Sequence, residues 1–215
     1  MKNRFDLIIF DWDGTLIDSI DWIVHCIQQA AEYCACPIPN RQAIKDIIGL
    51  SIENAVESLF PDADPETRAK LTAHYSRHFV SKHIGPEDLF PGVVDMLQTL
   101  SQDGYRLAVA TGKKAAGLAR AMEGTGLADF FCSTRCADQA ASKPDPRMID
   151  EIVAELGVSK QRTLMVGDSV HDLQMASNAQ VAAIAVTCGA HSETVLQQYK
   201  PLRCLSHPTE LLDFI

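Results

Sequence analysis

The chain of 215 residues carries 19 Lys and Arg against 28 Asp and Glu, a formal net charge of −9 with neutral histidines. Hydrophobic residues make up 47% and charged ones 22%, enough apolar mass for a sizeable core, which excludes a disordered chain. The acidic balance excludes nucleic acid as a main partner, because phosphate backbones are bound by clustered cations, yet it leaves open a small phosphorylated substrate, whose binding depends on local charge. From the N-terminus, Leu7 to Phe10 is a continuous apolar run that ends in Asp11, the pattern of a strand buried on both faces of a parallel sheet. The next convincing strand pattern comes only at Tyr105 to Ala110, ending in Thr111-Gly112. Between them, helix signals accumulate: one helix after Asp18-Ser19 running toward Cys34, one near Arg41 to Ile48, one after the N-cap Ser51, and one opened by Asp64-Pro65-Glu66. A structureless loop of this length is improbable, so a helical insert over residues 16–87 is expected, with Gly14 and Gly85-Pro86 as hinge positions.

Beyond the insert, Phe130 to Thr134 is a weak strand, and Arg162 to Val166 is a strong one ending in Gly167-Asp168. Ala182 to Thr187 closes the series. Ile149, Ile152, Val153 and Leu156 repeat at helical spacing, started by Asp145-Pro146 and stopped by Gly157. Strands alternating with helices predict an α/β fold: a doubly wound parallel sheet, Rossmann-like, formed by residues 1–15 and 88–215 and carrying the inserted helical domain. In such sheets ligands bind beyond the carboxyl ends of the strands. Four polar clusters fall there: Asp11-Trp-Asp13-Gly-Thr15, Thr111-Gly112, Ser142-Lys143-Pro144 and Gly167-Asp168-Ser-Val-His-Asp172.

Together these place four carboxylates, one hydroxyl and one ammonium at one sheet edge. Convergent acids repel one another and need a cation. Mg²⁺ is the expected cation, being hard and commonly held by one or two carboxylates plus waters and phosphate. With Asp13 protonated, Asp11, Asp168 and Asp172 contribute three negative charges, which Lys143 and Mg²⁺ balance, so the site admits a phosphate.

In this order the motifs Asp-x-Asp-Gly-Thr, Thr-Gly, Lys-Pro and Gly-Asp-x-x-x-Asp resemble those of the haloacid dehalogenase-like hydrolases, along the whole chain. The insert resembles the family's small α-helical cap. Asp11 to Ser19 and Leu89-Phe-Pro-Gly92 are most similar to the phosphoglycolate phosphatase-like branch. The resemblance implies Asp11 as the nucleophile and Asp13 as the general acid–base, whose backbone carbonyl also meets the metal. It implies Thr111 and the Gly112 amide as phosphoryl ligands, Lys143 as the neutralising cation, and Asp168 and Asp172 as metal ligands. It further implies a loop, Ile48-Gly49-Leu50-Ser51, facing the site, with Leu50 and Ser51 in contact with substrate; the loop offers little charge.

The function so implied is Mg²⁺-dependent hydrolysis of a small phosphorylated metabolite through an aspartyl phosphate. A sugar-phosphate mutase or a nucleotide phosphatase of the same superfamily is the alternative. A phosphoacceptor signalling domain is disfavoured, since such domains are shorter and place their phosphorylated Asp on a later strand. Lys113-Lys114 reads as a pair solvating a helix start, His74 and His78 as a packed or exposed pair, His171 as a solvated loop residue, Arg41 as an exposed helix residue and Trp12 as a core residue pointing away from the acids. The longest apolar runs are too short to cross a bilayer, and no signal peptide is expected. Seven irregularly spaced cysteines, Cys34 and Cys36 among them, read as reduced thiols. A cytoplasmic monomer or homodimer is therefore expected.

Overall fold

The computed structural model describes residues 4–215. Six parallel strands, β1 (Leu7–Phe10), β2 (Arg106–Thr111), β3 (Ser133–Cys136), β4 (Thr163–Gly167), β5 (Ala182–Val186) and β6 (Cys204–Leu205), form one sheet in the order β3-β2-β1-β4-β5-β6. The helices in chain order are α1 (Ile20–Tyr33), α2 (Arg41–Lys45), α3 (Ile52–Leu59), α4 (Pro65–Phe79), α5 (Val93–Gln102), α6 (Ala115–Thr125), α7 (Arg147–Leu156), α8 (Val170–Ala179), α9 (Glu193–Leu196) and α10 (Leu211–Phe214). This is the expected doubly wound α/β architecture.

β1 shows why the run Leu7 to Phe10 has no polar interruption. Side chains alternate across a strand, and both faces of this one are covered. Ile8 and Phe10 join one core with Trp12, Met96 and Leu97, and with Leu118 and Met122 of α6. Leu7 and Ile9 join a second core with Ile149 and Ile152 of α7 and Met175 and Ala176 of α8. Ile9 sits opposite both Ala108 and Met165, so the strand is central. The winding reverses between β1 and β4, which puts the ligand crevice beyond their carboxyl ends.

The helices α1–α4 lie between β1 and β2 in the chain. Ile20, Ile23, Val24 and Ile27 pack with Ile44, Ile47, Ile48 and Ala55, and Ala30 and Ala31 pack with Val56, Phe60 and Leu71. Side chains cap α2, α3 and α4, the last two at Ser51 and Asp64 as the sequence predicts, while Ser19 before α1 makes no side-chain cap. Asn40 Oδ1 accepts from the Ala43 N–H at 2.9 Å, Ser51 Oγ from Asn54 at 3.3 Å, and Asp64 Oδ1 from Glu66 and Thr67 at 2.9 and 3.0 Å. The two crossings to the sheet run side by side, with Ile17 bridging antiparallel to Leu89 and the Phe90 N–H donating to the Leu16 carbonyl at 3.1 Å. Leu16 and Ile17 pack with the sheet rather than with the helices. At the first crossing, Gly14 turns with φ +80°, and a Cβ there would lie 2.3 Å from Asp168 Oδ2; a side chain would enter the acid cluster.

Some elements differ from the sequence reading. β3 begins at Ser133, because Ala128–Phe130 forms a 3-10 turn and Phe130 and Phe131 pack against the sheet core. β6 has two residues, too few to show a period. The second insert helix stops at Lys45. His74 and His78 form a packed pair, His74 stacked on Tyr33 and His78 on Trp22. All seven cysteines are free thiols, with Cys34 and Cys36 packed beside the Val56 cluster. Among the described residues no helix is long and apolar enough to cross a membrane.

Candidate active site

Asp11 follows β1, and its N–H donates to the Val166 carbonyl at 2.9 Å, extending the ladder onto β4. Asp168 follows β4, and Asp172 stands in the first turn of α8. Lys143 arrives from the loop after β3. Its Nζ lies 2.8 Å from Asp11 Oδ1 and 2.6 Å from Asp172 Oδ1, and all three side chains are buried. Asp172 Oδ2 accepts from the Ser169 N–H at 3.1 Å and its hydroxyl at 2.6 Å, a capping box that fixes the carboxylate. Asp168 is held from both sides, by the Thr15 hydroxyl at 2.8 Å and the Ala190 N–H at 2.7 Å.

Burial raises the Asp11 carboxyl to about 7, the neighbouring Asp172 and Asp13 charges adding to it against the pull of Lys143. Burial, then Asp11 and Asp172, push Asp168 well above the carboxylate range. Burial disfavours the Lys143 ammonium, but Asp11 and Asp172 outweigh it and hold its pKa above the usual lysine value. Oxygens of Asp11, Asp168 and Asp172 lie within 4.8 Å of one another. Asp11 Oδ1 is buried with Lys143 as an ion partner but without an aligned hydrogen bond. Three ionised carboxylates against one ammonium leave a charge of about −2 in low dielectric, and the donors are all oxygen; the residues fit a hard divalent cation.

Asp13 stands apart from that triad. Its Oδ1 accepts from the Ser19 hydroxyl at 2.6 Å and from Lys113 Nζ at 3.0 Å, and its Oδ2 lies 2.8 Å from the same ammonium. Lys113 therefore does not solvate a helix start, as the doublet suggested. Its side chain is 9% exposed and lies 4.3 Å over the Phe79 ring. No sequence signal marks it, because the ion pair joins residues a hundred positions apart. Lys114 does reach outward, to Glu53 at 2.7 Å. Thr111 ends β2, buried, and its Oγ1 accepts from the Lys113 N–H at 3.3 Å. Trp12 points into the core, as alternation predicts.

The insert closes over this edge. A Cβ on Gly112 would stand 2.3 Å from the Leu50 carbonyl oxygen, so glycine permits the approach. The Ser51 N–H donates to Ser142 Oγ at 2.8 Å, while its own hydroxyl caps α3. His171 is not a solvated loop residue: it lies in α8, and its Nε2 is 3.0 Å from the Asp46 carbonyl. Arg41 is exposed and paired with Asp21. Between helices and sheet lies a cavity of about 270 Å³ that opens on Asp11, Asp13, Thr111, Gly112 and Leu50; Ser51 does not line it.

Residues 8–186 match the family model of the haloacid dehalogenase-like hydrolases, and the chain belongs to that family. The protein named Probable phosphatase IndB of Dickeya dadantii is 36% identical over 199 residues, which cover 91% of this chain and 86% of that one. The phosphoglycolate phosphatase of Agrobacterium fabrum is 31% identical over 191 residues, covering 85% and 81%. A hydrolase from Pseudomonas syringae shares the fold with a TM-score of 0.88 at 22% identity, over 98% of this chain and 97% of that one.

Proposed function

We propose that the protein is a Mg²⁺-dependent phosphatase that hydrolyses a small phosphate monoester through an aspartyl phosphate on Asp11. The observation that carries this reading is the buried Lys143 ammonium, in contact with both Asp11 and Asp172, in a cluster whose three carboxylates, once ionised, outnumber its one ammonium. Relatives named as phosphatases support it.

In this reading Asp11 attacks phosphorus, the ester P–O bond breaks, and the alcohol oxygen takes a proton from Asp13. Asp13 then removes a proton from the water that hydrolyses the aspartyl phosphate. Lys113, paired with Asp13, stabilises its carboxylate after the first transfer. Thr111 Oγ1 already accepts from Lys113, so its hydroxyl proton is free for a phosphoryl oxygen, and the Gly112 N–H offers a second donor. Lys143 offsets charge on Asp11 and on the transferred group. Asp11, Asp168 and Asp172, with the Asp13 backbone carbonyl, would hold Mg²⁺, which when bound supplies charge neutralisation for the incoming phosphate. Residues 16–87 act as the cap, Leu50 bordering the substrate and Ser51 fixing Leu50 through its tie to Ser142.

The test is hydrolysis of 4-nitrophenyl phosphate by the purified protein. Turnover vanishes in chelator and returns with Mg²⁺. Full turnover in chelator would refute the metal assignment.

A further inference from the structure

The cavity has two unlike halves. Its floor, from the sheet edge, presents Asp11, Asp13, Thr111, Gly112 and Lys113. Its walls come from the insert: Ile23 and Ile27 of α1, Ile47 and Ile48 after α2, Ile52 of α3 and Phe79 of α4. The polar groups the insert adds to the lining are the Tyr75 and Ser76 hydroxyls. Among the described residues no arginine or histidine lines it, and both lysines stand on the sheet side, Lys113 2.8 Å from Asp13 and Lys114 2.7 Å from Glu53.

The scissile ester oxygen must sit near Asp13, so the alcohol part of the substrate projects from there into these walls. A carboxylate or second phosphate carried into them would lose its water and meet no cation on the insert, an unfavourable exchange. A hydrocarbon group would instead leave water for apolar contact. At about 270 Å³ the space lies just below the roughly 300–1,000 Å³ of drug-sized ligand sites, which suits one ring or a short branched chain above the phosphate.

We infer that the substrate is the phosphate monoester of a small apolar alcohol or phenol, selected by the isoleucine-rich walls of the insert. This rests on the phosphatase reading above and names the ester class of that same site.

The experiment compares kcat/KM with Mg²⁺ for benzyl phosphate, methyl phosphate, phosphoglycolate and inorganic pyrophosphate, with 4-nitrophenyl phosphate as a check on activity. Burial of one ring predicts that benzyl phosphate exceeds each of the other three by about 10- to 100-fold. Leu50→Arg, which brings a guanidinium to the cavity, lowers the ratio of benzyl phosphate to phosphoglycolate at least about tenfold. Inhibition of the wild-type enzyme needs no variant to fold: benzylphosphonate inhibits at lower concentration than phosphonoacetate. A benzyl preference below tenfold, or phosphonoacetate as the better inhibitor, overturns the inference while the phosphatase reading stands. A folded protein that turns over none of the esters, 4-nitrophenyl phosphate included, overturns both.

Discussion

At the carboxyl edge of the sheet, Lys143 is locked between Asp11 and Asp172, Asp168 is held by Thr15 and Ala190, and Asp13 is clasped by Ser19 and Lys113. Across about 270 Å³ of space, the insert answers with Ile23, Ile27, Ile48, Ile52 and Phe79. One wall is charged and fixed by directional bonds; the other is apolar and shaped by packing. Directional bonds hold atoms where phosphoryl transfer needs them. An apolar wall makes few demands on direction and discriminates by size and polarity. On the proposed reading the same chain keeps reaction and choice on separate elements, and each can be perturbed alone.

The deepest break is on the charged side. Asp11→Asn removes the proposed nucleophile and lowers kcat on the order of 10⁶-fold, the scale seen when a covalent nucleophile is lost. The protein stays folded, and in chelator above pH 7, where Asp11 is ionised, its thermal midpoint rises, because one buried charge is gone. Wild-type kcat in this variant would end the covalent mechanism. Asp13→Asn comes next, lowering kcat by about 10²–10⁴-fold as loss of general acid–base catalysis does. Lys113→Met falls short of that loss while leaving the Mg²⁺ activation curve in place, since Lys113 touches Asp13 and not the triad. A shifted Mg²⁺ midpoint in Lys113→Met would show that the two acid groups are not separate.

Gly112→Ala tests the junction between the walls. A Cβ 2.3 Å from the Leu50 carbonyl pushes the insert off the edge, and a displacement of about 1 Å costs on the order of 10²-fold in kcat/KM. Unchanged kcat/KM would mean that catalysis does not use this closed arrangement.

The smallest effect is on stability. In chelator the folded Asp11 carboxyl is held at about 7 by burial and by its acidic neighbours, against roughly 3.9 in the unfolded chain. Between these values the folded protein keeps a proton that the unfolded chain has lost. Stability therefore falls as pH rises across that window and levels off above it. On the proposed reading, added Mg²⁺ binds the folded ionised cluster and returns the lost stability at neutral pH. A thermal midpoint in chelator that rises from pH 4.5 to 7 would contradict the sign.

What the sequence discloses follows the same division. Asp11, Asp168 and Thr111 are legible because each ends an apolar run, and strand ends converge in a doubly wound sheet. The helix starts at Ser51 and Asp64 are legible because capping chemistry is local. Lys113 is not, since its meaning depends on Asp13 across the sheet and Phe79 from the insert, and a lysine doublet looks the same when solvated. Nor does local pattern show that Asp172 serves Lys143 with one oxygen and Ser169 with the other. The isoleucines of α1 read equally as helix core, and only the folded arrangement shows Ile23 and Ile27 bordering a space that opens on Asp11.

The account stands most directly on a rapid-quench measurement of phosphate on the Asp11 peptide, made with benzyl phosphate and with methyl phosphate. Formation of the aspartyl phosphate depends on the ester, because the alcohol is still in the apolar cavity. Its breakdown does not, because the alcohol has left and only the sheet edge acts. Phosphate on Asp11 forming faster from benzyl phosphate, and decaying at one common rate, is the predicted result. Absence of phosphate on Asp11 during turnover, or decay rates that follow the ester, would contradict it.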